Sequence, residues 1–244
     1  MTVTNNISTR LVEVVTVVQV LFGLAVAPAL ICGVYMYIRD KYEHEPLRLL
    51  FAGLLAGALI TFPIMRTSGF IAGFTPVLGQ MGEAVFTSFA VAGFTEEAFK
   101  FAALYFLIWR NRNLNEPVDG IVYAVFISLG FAMVENVLYV FHPQMGGFET
   151  AFMRALVSVP SHGFFGVIMG YFFALAKFEP ERRTRHMIMA FLAPWIVHGI
   201  YNSLLLSGQA WLMVAFVPFL VVFWLDGLRK IKRHLSASPF KNNA

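Results

Sequence analysis

The chain has 244 residues, of which 58% are hydrophobic and only 13% charged, with a formal net charge of +4. A soluble domain carries nearer a quarter charged residues, so a chain this apolar lacks the polar surface to stay dissolved and finds its natural solvent in a bilayer. No Lys/Arg run interleaved with aromatics points to a nucleic acid, and no glycine-rich phosphate loop of the Walker type is present.

A helical crossing needs about 20 mostly apolar residues. In chain order, such stretches fall at residues 11–38, 49–65, 84–109, 119–141, 155–176, 187–206 and 210–225. Together they predict an all-α polytopic transmembrane bundle of about seven spans, forming one domain over residues 1–244. The second and last stretches are short. Residues 67–82, rich in Gly and Thr, read as a loop or a re-entrant piece. The first stretch is too long for a signal-peptide core; Arg10 alone precedes it, and Arg39 and Lys41 follow it. It therefore reads as a retained anchor with its N-terminus outside. Cys32, the single cysteine, sits inside this stretch, where no disulfide or CxxC pairing is possible, and reads as a packing residue.

Basic residues test the span assignment, because Lys and Arg concentrate in cytoplasmic loops. Of the 18 Lys and Arg residues, only Lys100 lies within a span. With the N-terminus outside, the cytoplasmic side holds Arg39, Lys41, Arg48, Arg110, Arg112, Lys177, Arg182, Arg183, Arg185, Arg229, Lys230, Lys232, Arg233 and Lys241. The exterior keeps Arg10, Arg66 and Arg154. Fourteen against three, alternating loop by loop, predicts a cytoplasmic C-terminus.

Ionisable groups inside the hydrocarbon are costly and mark function by default. The third span carries Glu96, Glu97 and Lys100. The fourth carries Glu135 and Asn136, the fifth His162, and the sixth His198 and Asn202. At 1.5 Å per residue, Glu96 lies roughly 18 Å from the outer start of its span, Glu135 roughly 9 Å and the two histidines roughly 10 to 12 Å. Four antiparallel helices thus bring three carboxylates and two imidazoles to overlapping depths in the outer half of the membrane. Glu96 and Lys100 share a helix face, as do His198 and Asn202. Asp119 opens the fourth span, where the helix dipole favours a carboxylate, and Asn136 and Asn202 suit interhelical hydrogen bonds.

This set permits peptide hydrolysis, which requires an activated water, an oxyanion partner and an acid for the leaving amine. A glutamate crowded by a second glutamate holds its proton more tightly, and Lys100 restores an ionised form suited to a general base. Histidine supplies the acid or an oxyanion donor. Other intramembrane protease chemistries fit poorly: there is no HExxH, no GxGD-type aspartate pair and no GxSG serine, and Ser161 and His162 face apart as helix neighbours. Glu96, Glu135, His162 and His198 also make an acceptable ligand set for a divalent metal such as zinc. Both a metal-dependent and a metal-free glutamate chemistry remain open from sequence.

At these residues the chain resembles the PrsW family, within the larger group of CAAX-processing endopeptidases and bacterial Abi/CPBP proteins. The similarity runs through Tyr37–Pro46, the Glu96-Glu97-Ala-Phe-Lys100 element, Asp119–Tyr123, Gly130–Asn136, Pro160-Ser-His162, Gly166–Gly170 and His198-Gly199. It implies a multi-pass protein of the bacterial inner membrane. Its activity would be that of an endopeptidase clipping single-span membrane proteins, anti-sigma factors among them, on the extracytoplasmic side. By resemblance to the CAAX enzymes, Glu96 and Glu97 would activate water, and His198 and Asn202 would match an element that helps bind the oxyanion. The chain departs from those enzymes in having Phe131 followed by Glu135 where they carry FxxxH, and His162 is the candidate to replace the missing imidazole. Rival readings are a proton-coupled carrier and a non-catalytic helix-binding protein of the same fold; substrate and lipid bilayer are the expected partners, with no nucleic acid.

Overall fold

The computed structural model describes residues 2–75, 77 and 79–241. It is all-helical, with no strand among the described residues. The helices are α1 (Thr2–Arg39), α2 (Leu47–Ala72), α3 (Gly79–Phe86), α4 (Phe94–Ile108), α5 (Pro117–Val140), α6 (Phe148–Met153), α7 (Val159–Phe178), α8 (Arg183–Leu206) and α9 (Ala210–Ser236). Two π-helical stretches join neighbours without a break, Thr87–Gly93 between α3 and α4 and Arg154–Ser158 between α6 and α7. Six helical stretches are long and apolar enough to cross a membrane. The expected third span is the continuous α3–α4 rod, which carries Glu96, Glu97 and Lys100.

Burial separates the helices into two classes. In its most apolar window α5 is 72% buried and the α6–α7 rod 78%, against 11% for α1 and 17% for α9. The bundle is therefore built around α5 and α7, and the outer helices turn Val, Leu, Ile and Phe side chains outward, as a lipid-facing surface requires. Glycines allow the central helices to touch backbone to backbone. A methyl group added at Gly57 of α2 would collide with the Ile127 carbonyl of α5, and one at Gly170 of α7 with the Gly120 carbonyl of α5. With no hydrophobic drive between helices in lipid, such close approach supplies van der Waals contact instead.

The structure corrects three boundaries. Residues 67–72 continue α2 instead of forming a loop or re-entrant piece, and α3 begins at Gly79; Pro76 and Leu78 lie outside the described residues. Thr67, Ser68 and Gly69 weakened the apolar signal without breaking the helix, because Ser68 turns its hydroxyl onto the Val91 carbonyl. The last helix extends through Ser236, so Arg229, Lys230, Lys232 and Arg233 are helical. Neither α2 nor α9 is a short span.

Candidate active site

Both π-helical stretches sit just before site residues. Thr87–Gly93 precedes Glu96 and Glu97, and Arg154–Ser158 precedes His162. A π-bulge adds a residue to a turn and rotates the next residues about the helix axis, which is why bulges gather at functional sites. The wider turns leave carbonyls to satisfy. Ser68 and Thr95 both donate to Val91 O, at 2.9 and 2.5 Å, and Trp195 Nε1 donates to Phe89 O at 2.8 Å. Just after the second stretch, Pro160 sits in the first turn of α7, where its missing N–H costs least.

The predicted groups meet. Lys100 Nζ lies 2.9 Å from Glu97 Oε1, 3.3 Å from Glu96 Oε2 and 3.3 Å from His162 Nδ1. Its ammonium also rests 4.3 Å above the Phe131 ring. An ammonium donates only, so His162 accepts through Nδ1 and donates through Nε2 to Glu135 Oε2 at 3.0 Å. His198 donates from Nδ1 to Glu97 Oε1 at 2.9 Å, while Phe165 stacks on its ring at 4.5 Å. The free His198 Nε2 then faces Glu96 Oε2 at 4.0 Å, the same distance that separates Glu96 Oε2 from His162 Nδ1. Glu96 is the shared member of two triads, Glu96–Glu135–His162 and Glu96–Glu97–His198, each with its donor atoms within 4.8 Å.

Glu96 and Glu135 also line a cleft of about 380 Å³ with Thr61, Met65, Phe131 and Tyr139. Its wall is mostly apolar and formed by α2, the first π-helical stretch, α4 and α5. Glu97, Lys100, His162 and His198 are buried behind it. The arrangement is a carboxylate lining an apolar groove, backed by a lysine and two imidazoles.

Other sequence candidates lie elsewhere. Asn136 donates to Ala25 O at 2.8 Å and accepts from Arg154 Nε at 2.9 Å, so it ties α5 to α1 and to the second bulge. Among the described residues no hydrogen bond joins Asn202 to the site, although it sits one turn from His198. Asp119 accepts the N–H groups of Asn115 and Glu116 at the start of α5, far from Glu96. Sequence reasoning places Arg154 in an outer loop and misses its part in the site. Its Nη2 donates to Glu135 Oε2 at 2.7 Å, and its guanidinium lies 4.0 Å from the Tyr139 ring centre. Arg154 stands eight residues before His162, and its place near a span end reads from sequence as a mark of topology alone.

Over residues 45–225 the chain matches the profile of a family described as PrsW family intramembrane metalloprotease. It is 38% identical over 213 residues to the Protease PrsW of Geobacillus kaustophilus, covering 87% of this chain and 91% of that one. With the Protease PrsW of Bacillus subtilis it shares 33% identity over 219 residues, or 89% and 97% of the two chains. That of Clostridioides difficile is 31% identical over 221 residues, 89% and 92% of the two. No solved structure matches the chain.

Proposed function

The chain belongs to the PrsW family of intramembrane proteases, and on that premise we propose that it hydrolyses a peptide bond of a single-span membrane protein with water activated at Glu96. The observation that carries this reading is the placement of Glu96 Oε2 on an apolar cleft, 4.0 Å from both imidazoles and 3.3 Å from Lys100 Nζ. A transmembrane or juxtamembrane segment, largely apolar, suits such a groove. The substrate is of the anti-sigma-factor kind, cut on the extracytoplasmic side.

In this mechanism Lys100 keeps the Glu96–Glu97 pair from carrying uncompensated charge. Glu96 takes a proton from water as the oxygen attacks the carbonyl carbon. The C–N bond then breaks, and Glu96 returns that proton to the leaving amine nitrogen. Negative charge developing on the carbonyl oxygen is met by the buried Lys100 ammonium, where a low dielectric strengthens the attraction. Glu97 holds His198 in one tautomer, and Glu135 does the same for His162.

The donor set also fits the metal that the family description implies. Glu96 Oε2 and His198 Nε2 point at one another without bonding, His162 stands at the same distance, and Glu97 orients His198 as a carboxylate behind a ligating imidazole would. Glu96 Oε2 and His198 Nε2 would hold a divalent ion, while Lys100 keeps His162 Nδ1 occupied. When bound, such an ion supplies Lewis acidity and lowers the pKa of its water.

The test is cleavage of candidate single-span substrates by purified protein in proteoliposomes. Glu96→Gln should lower the rate by about 10²–10⁴-fold, the contribution of a positioned acid–base group. Glu97→Gln, Glu135→Gln, His162→Ala and His198→Ala should each impair it as well. Wild-type turnover in all five variants would remove the proposed centre. Loss of activity with chelator and recovery on adding zinc would assign the metal; indifference to chelator would assign the glutamate chemistry alone.

A further inference from the structure

A second group of buried acids lies at the opposite end of α5. Asp40 follows the last residue of α1, Glu45 lies in the turn to α2, and Glu116 and Asp119 occupy the N-cap and first turn of α5. Asp119 and Glu135 are separated by roughly 24 Å along the helix at 1.5 Å per residue. Asp40 and Glu116 are 0% exposed, and Asp119 is 1% exposed. Donor atoms of Asp40, Glu116 and Asp119 lie within 4.8 Å of one another.

Two of these carboxylates divide their oxygens between two tasks. Asp40 Oδ2 accepts the Glu45 N–H at 3.3 Å, and Asp119 Oδ2 accepts the N–H groups of Asn115 and Glu116 at 2.8 and 2.7 Å. Asp40 Oδ1 and Asp119 Oδ1 are buried without a partner, while the Glu116 side chain forms a capping box with Asp119 at the start of α5. Tyr123 donates its hydroxyl to Glu45 Oε2 beside them. Among the described residues no ion pair involves Asp40, Glu45, Glu116 or Asp119. Burial and the neighbouring carboxylates push Asp40 up to about 7, and burial does the same to Glu45. Unpaired buried charge of this kind is expensive. Backbone N–H groups fix one oxygen of each aspartate and leave the other free, as a preformed oxygen cage would.

We propose that Asp40, Glu116 and Asp119 bind a hard divalent cation of the Ca²⁺ or Mg²⁺ class, with Glu45 close by, distinct from the Glu96 centre. All-oxygen carboxylate donors select hard cations over zinc-type metals. The ion would pin the α1–α2 turn to the first turn of α5. Binding is measurable with Tb³⁺ on the full chain in detergent, because Tyr123 can sensitise Tb³⁺ emission. The background is a Glu96→Gln/His162→Ala variant, in which the other acidic centre is disabled. Emission should appear in that background and be displaced by Ca²⁺ or Mg²⁺. Adding Asp40→Asn or Asp119→Asn should weaken binding at least tenfold. If Asp119→Asn unfolds, Asp40→Asn suffices, since it keeps the shape and loses one acceptor's charge. Ca²⁺ should also raise the melting temperature of the background protein and not that of its Asp40→Asn derivative. No Tb³⁺ emission in the background variant, or undiminished emission in both aspartate variants, would overturn the proposal and leave protons as the only countercharge.

Discussion

Glu135 is the residue whose role the sequence left most open, and Arg154 decides how it behaves. The guanidinium bonds Glu135 Oε2 and Asn136 Oδ1 at once and rests on Tyr139, so three contacts fix its plane. Glu135 in turn orients His162. Arg154→Ala should therefore lower turnover by about 10–100-fold, the range for outer partners of ligating or catalytic side chains. Arg154→Lys should rescue it poorly, because a point charge cannot hold two planar acceptors. Rates for the three proteins with one substrate check this, and a lysine variant as active as wild type would reduce Arg154 to a generic countercharge. Glu96, Glu97 and Lys100 were legible in the sequence because their spacing alone places them on one helix face. Arg154 was not, because a basic residue near a span end has an adequate explanation in topology. The Asp40–Glu116–Asp119 group was hidden for a related reason: each acid ends or begins a helix, and its local explanation concealed that the helix ends converge.

The central helices lie close enough that their glycines have become constraints. Gly57 faces the Ile127 carbonyl and Gly170 the Gly120 carbonyl, both backbone atoms that cannot step aside. Alanine at either position should cost about 1–3 kcal/mol through overpacking. Gly23 provides the control, since a Cβ there would meet nothing within 4 Å, and Gly23→Ala should be neutral or slightly stabilising through helix propensity. Thermal unfolding in one detergent compares the three, and an equal response at Gly23 and Gly57 would count against backbone contact as the cause. Span existence was readable from apolar length alone. The π-helical stretches were not, because the first depends on Ser68 and Trp195 reaching across to its carbonyls from positions that no local pattern links.

For the whole molecule, the orientation in the membrane determines which part of a substrate can be cut. Glu135 stands about one and a half turns from Val140, the end of α5, so the cleft lies near one face of the bilayer and the Asp40 group near the other. The distribution of Lys and Arg predicts that the α5–α6 loop is extracytoplasmic and the α7–α8 connection cytoplasmic. Gln144 and Glu181 are exposed representatives of these two loops. After Cys32→Ser removes the single native thiol, Gln144→Cys should react with a membrane-impermeant maleimide on intact cells. Glu181→Cys should react only after permeabilisation. The reverse pattern would turn the Glu96 cleft toward the cytoplasm, and the substrate would then be cut on its inner side. The labelling thus tests the cleavage side independently of catalysis, because neither position touches the Glu96–His198 centre and both proteins should retain protease activity.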